Sequence, residues 1–225
     1  MNYLFDTVVE LLYLLPVILI SLPVHEIAHG YVALKMGDDT ARRAGRLTLN
    51  PAAHFDLWGT LMIILFRFGW ARPVPINPFH FKKRRLGIVL VSLAGPLSNF
   101  LLALVTMVIH KLLWLLAMHV ELTYQLENLF SILFTFTSLF MHINLSWALF
   151  NLLPISPLDG SKLVVAFLPA RARDWILQRE RYGMIVLLVL FLLDDYVLPG
   201  LVSIPMTLGV SGLLRLLDTL TFFLG

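Results

Sequence analysis

Five stretches of this chain are apolar enough to cross a bilayer, at residues 7–36, 86–119, 129–153, 182–198 and 201–224, and nothing else limits its fold as much. A span needs about 20 mainly apolar residues. Inside hydrocarbon every backbone polar group must be satisfied within the structure itself. The expected fold is therefore an all-α membrane protein, a polytopic helical bundle of about five to six transmembrane segments. Composition agrees: 59% of the 225 residues are hydrophobic, 14% are charged, and the mean hydropathy is +0.84. Soluble domains carry about 25% charged residues, so a cytosolic globule, a disordered chain and a secreted disulfide scaffold are excluded. Cysteine is absent, which removes thiolate metal sites and cysteine nucleophiles. A formal charge of +3 with no basic stripe points away from nucleic acid and leaves the lipid bilayer as the evident partner.

Lysine and arginine are sharply partitioned. Ten lie in 35–85, five in 162–181, and only Lys111 and Arg215 fall elsewhere. The positive-inside rule places both rich loops in the cytoplasm. Five alternating spans then put the N-terminus, the 120–128 loop and Asp194 outside, and the C-terminus inside. The apolar run 57–68 is too short to span and reads as a re-entrant or interfacial piece. Residues 46–49 and 70–76 read as extended, with turn signals at Asn50-Pro51 and Asn77-Pro78. A small re-entrant or edge β-hairpin is expected there, on the cytoplasmic side, because Pro73 and Pro75 suit only an edge strand. The basic run 82–85 reads as a headgroup-level stop for the next helix, with lipid or partner recognition as the alternative.

The first span contains His25-Glu26-Ile27-Ala28-His29, an H-E-x-x-H. Positions four apart share a helix face, so both imidazoles can meet one metal ion. Glu26 lies about 100° round, near enough to take a proton from a water that zinc has acidified to a pKa of about 7. Ionisable groups at this depth are costly and default to a functional site. Pro23 disturbs the backbone bonding just before it. A zinc site needs a third protein ligand. The spare histidines are His54, His80, His110, His119 and His142. The best-placed acid is Asp159, in Asn151-Leu-Leu-Pro-Ile-Ser-Pro-Leu-Asp159-Gly160, an irregular stretch following the third span at its cytoplasmic end. His25 lies roughly 15 Å below that same interface at 1.5 Å per residue. The competing reading of Asp159 is the N-cap of a helix starting at Gly160.

HEIAHG, then LAGPLSN at 93–99, then NLLPISPLDG at 151–160, together resemble the site-2 protease family of intramembrane zinc metalloproteases. The resemblance covers residues 7–168, which it marks as the catalytic core of a single domain, 1–225. The helices at 182–224 are additions, read as scaffold rather than as a lateral gate. It implies His25, His29 and Asp159 as the ligands of one zinc per chain, Glu26 as general base, and Asn151 as a contact to the substrate backbone or the developing oxyanion. Gly95-Pro96 and Asn99 read as close helix packing. LTLNPAAHFD resembles a loop motif of compact members, but Leu57 stands where a proline commonly follows the aspartate. His54 is accordingly divided between a surface-loop residue and one lining the substrate's path. Trp70, Arg72, Val74 and Ile76 are candidates to hold an unwound substrate as an added strand. No PDZ insert or soluble C-terminal domain is visible, which leaves regulation to the loops, a membrane partner or substrate supply. The implied substrates are single-pass or hairpin membrane proteins, such as membrane-tethered transcription regulators. The simple organisation fits a prokaryotic cell membrane.

Three rivals are weaker. A glutamate third ligand would have to be Glu121, Glu127 or Glu180, and the first two fall on the outer side. Gly209-Val210-Ser211-Gly212 resembles the rhomboid G-x-S-G, but no histidine follows His142. A zinc transporter would carry polar residues through the whole bilayer, and an inactive zinc-stabilised scaffold would not require Glu26.

Overall fold

The computed structural model of the chain describes residues 3–56, 59, 72–121, 123–169, 171–172, 175–176 and 182–224. Among them the regular elements are all helical and no strand forms. The helices are α1 (Tyr3–Met36), α2 (Thr40–Arg43), α3 (Arg84–His119), α4 (Tyr124–Asn151), α5 (Asp159–Phe167), α6 (Gly183–Tyr196) and α7 (Ser203–Leu220). Three are long and apolar enough to cross a membrane: α1 from Leu11 to Met36, α3 and α4. Apart from Gly59, the 57–68 piece lies outside the described residues, as does Trp70.

The sequence of α3 explains its place in the bundle. Leu97, Leu101, Val105, Ile109, Leu112 and Leu116 recur every three or four residues and are about half exposed. In water they would form an uncovered apolar stripe; lipid tails cover such a face. The opposite face is small: Gly87, Ala94, Gly95 and Ala103 are buried. Without a hydrophobic driving force between helices in lipid, small residues let backbones approach closely. α3 runs antiparallel to α1, with Lys82 N–H donating to the Met36 carbonyl at 3.0 Å where the two ends meet. It runs antiparallel to α4 as well. His110 Nδ1 and the Thr137 hydroxyl bond at 2.7 Å, and Ala103, Met107, Met141 and Leu145 share one apolar cluster with Val210 and Leu217 of α7.

The C-terminal helices depart from the expected hairpin of two crossings. α6 has 14 residues, about 21 Å at 1.5 Å per residue, short of a hydrocarbon core of about 30 Å. Its start is held against the loop after α4, since a Cβ on Gly183 would strike the Ser156 carbonyl. Asp194 sits against the start of α7: its Oδ1 accepts from the N–H groups of Val202 at 2.7 Å and Ser203 at 3.3 Å. α7 then runs parallel to α3. Gly209 lies against Leu149, and at the far end Lys111 Nζ reaches Asp218 Oδ1 at 2.8 Å and the Thr221 carbonyl at 3.1 Å. The end of α7 therefore lies beside the C-terminal half of α3. Lys111 gains a carboxylate and a helix C-terminus there, a stronger pull than hydropathy alone registers.

The loop from α1 to α3 is tied by polar contacts. Asp38 is fully buried and accepts from the N–H and hydroxyl of Thr40, the Asn77 N–H at 2.7 Å and His80 Nδ1 at 3.0 Å. Burial alone would push its carboxyl up, but these hydrogen bonds outweigh it and hold it below the usual carboxylate range. Residues 72–77 form no regular element and do not pair as a strand. Pro73 and Pro75 lack N–H groups, the Arg72 N–H goes to the His54 carbonyl at 2.9 Å, and the Val74 N–H goes to a side chain. A ladder needs those donors, so the expected hairpin does not form among the described residues.

Candidate active site

α1 carries both histidines through its turns without a break, despite Pro16 and Pro23 inside it. His25 and His29 are 7% and 6% exposed, and their Nε2 atoms lie 3.0 Å apart. α3 fixes both rings from behind. His29 Nδ1 donates to the Val91 carbonyl at 2.7 Å, and His25 Nδ1 faces the Asn99 amide oxygen at 3.3 Å. With each Nδ1 hydrogen directed at an acceptor, the neutral rings turn their Nε2 lone pairs to the same point. This is how outer-sphere partners set the ligating tautomer of a histidine.

Asp159 closes the triangle. It is the first residue of α5, and it does not cap that helix with its side chain. Its Oδ2 lies 3.3 Å from His25 Nε2 and 3.0 Å from His29 Nε2. That oxygen is buried and has no hydrogen-bond partner, whereas Oδ1 meets Lys162 Nζ at 3.3 Å. Gly160 lets the approach happen, because a Cβ there would strike the Leu152 and Leu153 carbonyls.

Two imidazole lone pairs and a carboxylate at this range repel unless a cation lies among them. Bonds of about 2.0–2.1 Å to zinc would set tetrahedral donors about 3.3–3.4 Å apart. The observed separations of 3.0–3.3 Å are close to that edge length. The donor set of two nitrogens and one carboxylate oxygen suits zinc and leaves one position open. Opposite the rings stands Gly95, where a Cβ would collide with both imidazoles. The absent side chain is thus the space in front of the histidine pair.

Glu26 is anchored from the loop. The Val74 N–H donates to its Oε2 at 2.8 Å, and Oε1 has no partner among the described residues. Val74 is itself buried, wedged near Gly30 of α1.

A family model matches residues 13–193, and its description is peptidase family M50. The chain belongs to peptidase family M50, the site-2 proteases. It is 46% identical, over 83% of its own length and 84% of the relative's, to a Bacillus subtilis (strain 168) protein whose name includes the words zinc metalloprotease YwhC. It is 27% identical to a Mycobacterium tuberculosis (strain H37Rv) protein named zinc metalloprotease Rip2, over 77% of this chain and 64% of that one. No solved structure matches. As a site-2 protease the chain is a zinc metalloprotease of the membrane.

The remaining candidates are not gathered in the same way. Asn151 is the last residue of α4, and its Nδ2 donates back to the Trp147 carbonyl at 3.0 Å. His54 is not at the surface: it is fully buried, and its Nε2 donates to the Thr48 carbonyl at 2.8 Å. Ile76 packs on the cluster of Ala33, Phe81 and Val91. Arg72 is exposed, with its carbonyl held by Arg46 Nη2 at 2.6 Å. Of the 72–77 segment, Val74 bonds Glu26, and it does so through its backbone.

Sequence reasoning assigned Gly95 and Asn99 to packing, whereas both face the histidines. The usable signal was a glycine and an asparagine four apart on one helix face within a span. Asn99 is completely buried, and its Nδ2 finds no partner; an amide is not kept there for packing alone. Replacing Asn99 with alanine should weaken zinc binding by about 10–100-fold with the helical content unchanged. Competition with a zinc-chelating dye reads this, and an unaltered affinity would remove Asn99 from the site.

Proposed function

We propose that this site-2 protease hydrolyses peptide bonds within or near the transmembrane segments of membrane-tethered proteins, using one zinc held by His25, His29 and Asp159. The observation behind this reading is the convergence of those three donors inside the bundle, two of them on a membrane-length helix. Zinc, when bound, supplies Lewis-acid polarisation and a water of lowered pKa.

The chain's own residues do the rest. Glu26 takes the proton of the attacking water at Oε1 and returns it to the leaving amine, while the Val74 N–H holds Oε2. Val91 and Asn99 hold the imidazoles in the ligating tautomer. Lys162 neutralises the outer oxygen of Asp159. Asn151 supplies an amide to the substrate carbonyl once its bond to Trp147 is released.

The substrate is a single-pass or hairpin membrane protein, unwound before it is cut. The proposed topology is multi-pass in a prokaryotic cell membrane, with the N-terminus outside and the site reached from the cytoplasm. The basic loops at 35–85 and 162–181 support that orientation. The catalytic core is 7–168, with α6 and α7 as scaffold and regulation left to a membrane partner or to substrate supply.

The first test is zinc per chain on protein purified without a histidine tag. Wild type should hold close to one equivalent, and Asp159→Ala should lose most of it. Zinc indifferent to Asp159 would overturn the ligand set. The second is cleavage of a reconstituted single-pass protein, mapped by mass spectrometry. Cuts confined to its water-exposed tails would overturn the intramembrane reading.

A further inference from the structure

Lys82, Lys83, Arg84 and Arg85 stand together at the start of α3, all exposed. None meets a carboxylate among the described residues, and none of those residues relieves their mutual repulsion. Two are nevertheless held in place: the Arg84 guanidinium lies 4.3 Å from the centre of the Phe79 ring, and that of Arg85 lies 4.5 Å from the centre of the Phe167 ring. Both rings are largely bare, at 77% and 62% exposed. Beside the Phe167 ring lies a groove of about 470 Å³. Lys83, Arg84 and Arg85 form its rim, and Leu86, Val89 and Phe167 form its walls. The apolar wall continues onto exposed Leu86 and Leu90, the lipid-facing side of α3.

We infer that this groove seats one anionic phospholipid, its phosphate among the three rim cations and an acyl chain along Leu86, Val89 and Phe167. The two halves of the groove select that class together. An acidic protein or a polynucleotide would use the cations and leave the apolar wall bare. A zwitterionic lipid would fill the wall but bring a cation of its own against the rim. The cytoplasmic leaflet is where anionic lipids and basic juxtamembrane segments meet, each cation contributing about fivefold. The inference depends on α3 lying in a bilayer and not on any catalytic role.

The test uses the full chain in neutral detergent, titrated with phosphatidylglycerol or phosphatidylcholine, with bound lipid counted by native mass spectrometry. Wild type should retain one phosphatidylglycerol in preference to phosphatidylcholine by about fivefold or more. The triple variant Lys83→Gln, Arg84→Gln, Arg85→Gln should lose that preference. Arg42→Gln, which removes an exposed cation elsewhere on the same loop, should keep it. Glycerol phosphate, which carries the headgroup charge without chains, should not displace the lipid. Equal retention of the two lipids by wild type, an unchanged preference in the triple variant, or displacement by glycerol phosphate would each overturn the seat. Zinc content, read on the same samples, should stay at the wild-type level in every variant, which separates loss of the groove from loss of the fold or of the metal site.

Discussion

Glu26→Gln should bind zinc as wild type does and cleave substrate about 10²–10⁴-fold more slowly, the range that general-base catalysis supplies. The substitution is close to isosteric. Its amide oxygen can still accept from the Val74 N–H that holds Oε2 at 2.8 Å, so the loop keeps its anchor on α1. What is lost is the second oxygen's ability to take a proton. Zinc per chain and the initial cleavage rate of a reconstituted membrane substrate, measured on one preparation, check this. A rate within a factor of a few of wild type would show that the base is another group.

Gly95→Ala should abolish activity by a different route. In an exposed helix interior alanine is favoured over glycine by about 1 kcal/mol, so α3 itself is not weakened. The added Cβ, however, would collide with the rings of both His25 and His29. Either the imidazoles leave their positions against Val91 and Asn99, or α1 and α3 separate. Overpacking of this kind costs about 1–3 kcal/mol, and here the strain falls on the donor atoms themselves. Zinc affinity should drop by at least an order of magnitude, with helical content retained. Gly212→Ala is the matching control, because a Cβ at Gly212 meets nothing within 4 Å. Equal zinc binding by both variants would show that Gly95 does not bound the site.

The site was legible in the sequence where chemistry and helical spacing coincide. His25 and His29 must share a face if the span is helical, and Asp159 stands out as an acid in an irregular stretch at the right depth. The supporting residues were not legible because a glycine and an asparagine inside a span serve packing equally well; only coordinates show which way they point. The C-terminal topology was legible only in part, for a different reason. Apolar length set 182–198 as a crossing, yet α6 ends after 14 residues and Asp194 caps the next helix. Lys111, which stood apart from the two basic loops in the sequence, meets Asp218 and fixes the direction of α7. The expected hairpin rested on β-like composition at 70–76, but the two prolines and the pull of Glu26 on Val74 use up the donors that pairing needs.

The seat formed by His25, His29 and Asp159 has a mechanical side. Its two halves are far apart along a chain that contains no cysteine and so cannot form disulfides. Metal held there would act as a detachable cross-link, tying α5 to α1 across the whole of α3 and α4 and closing a loop that entropy would otherwise open. Zinc starvation would then slacken the scaffold as well as silence the chemistry, and an idle copy would be easier for the cell's own quality-control proteases to clear.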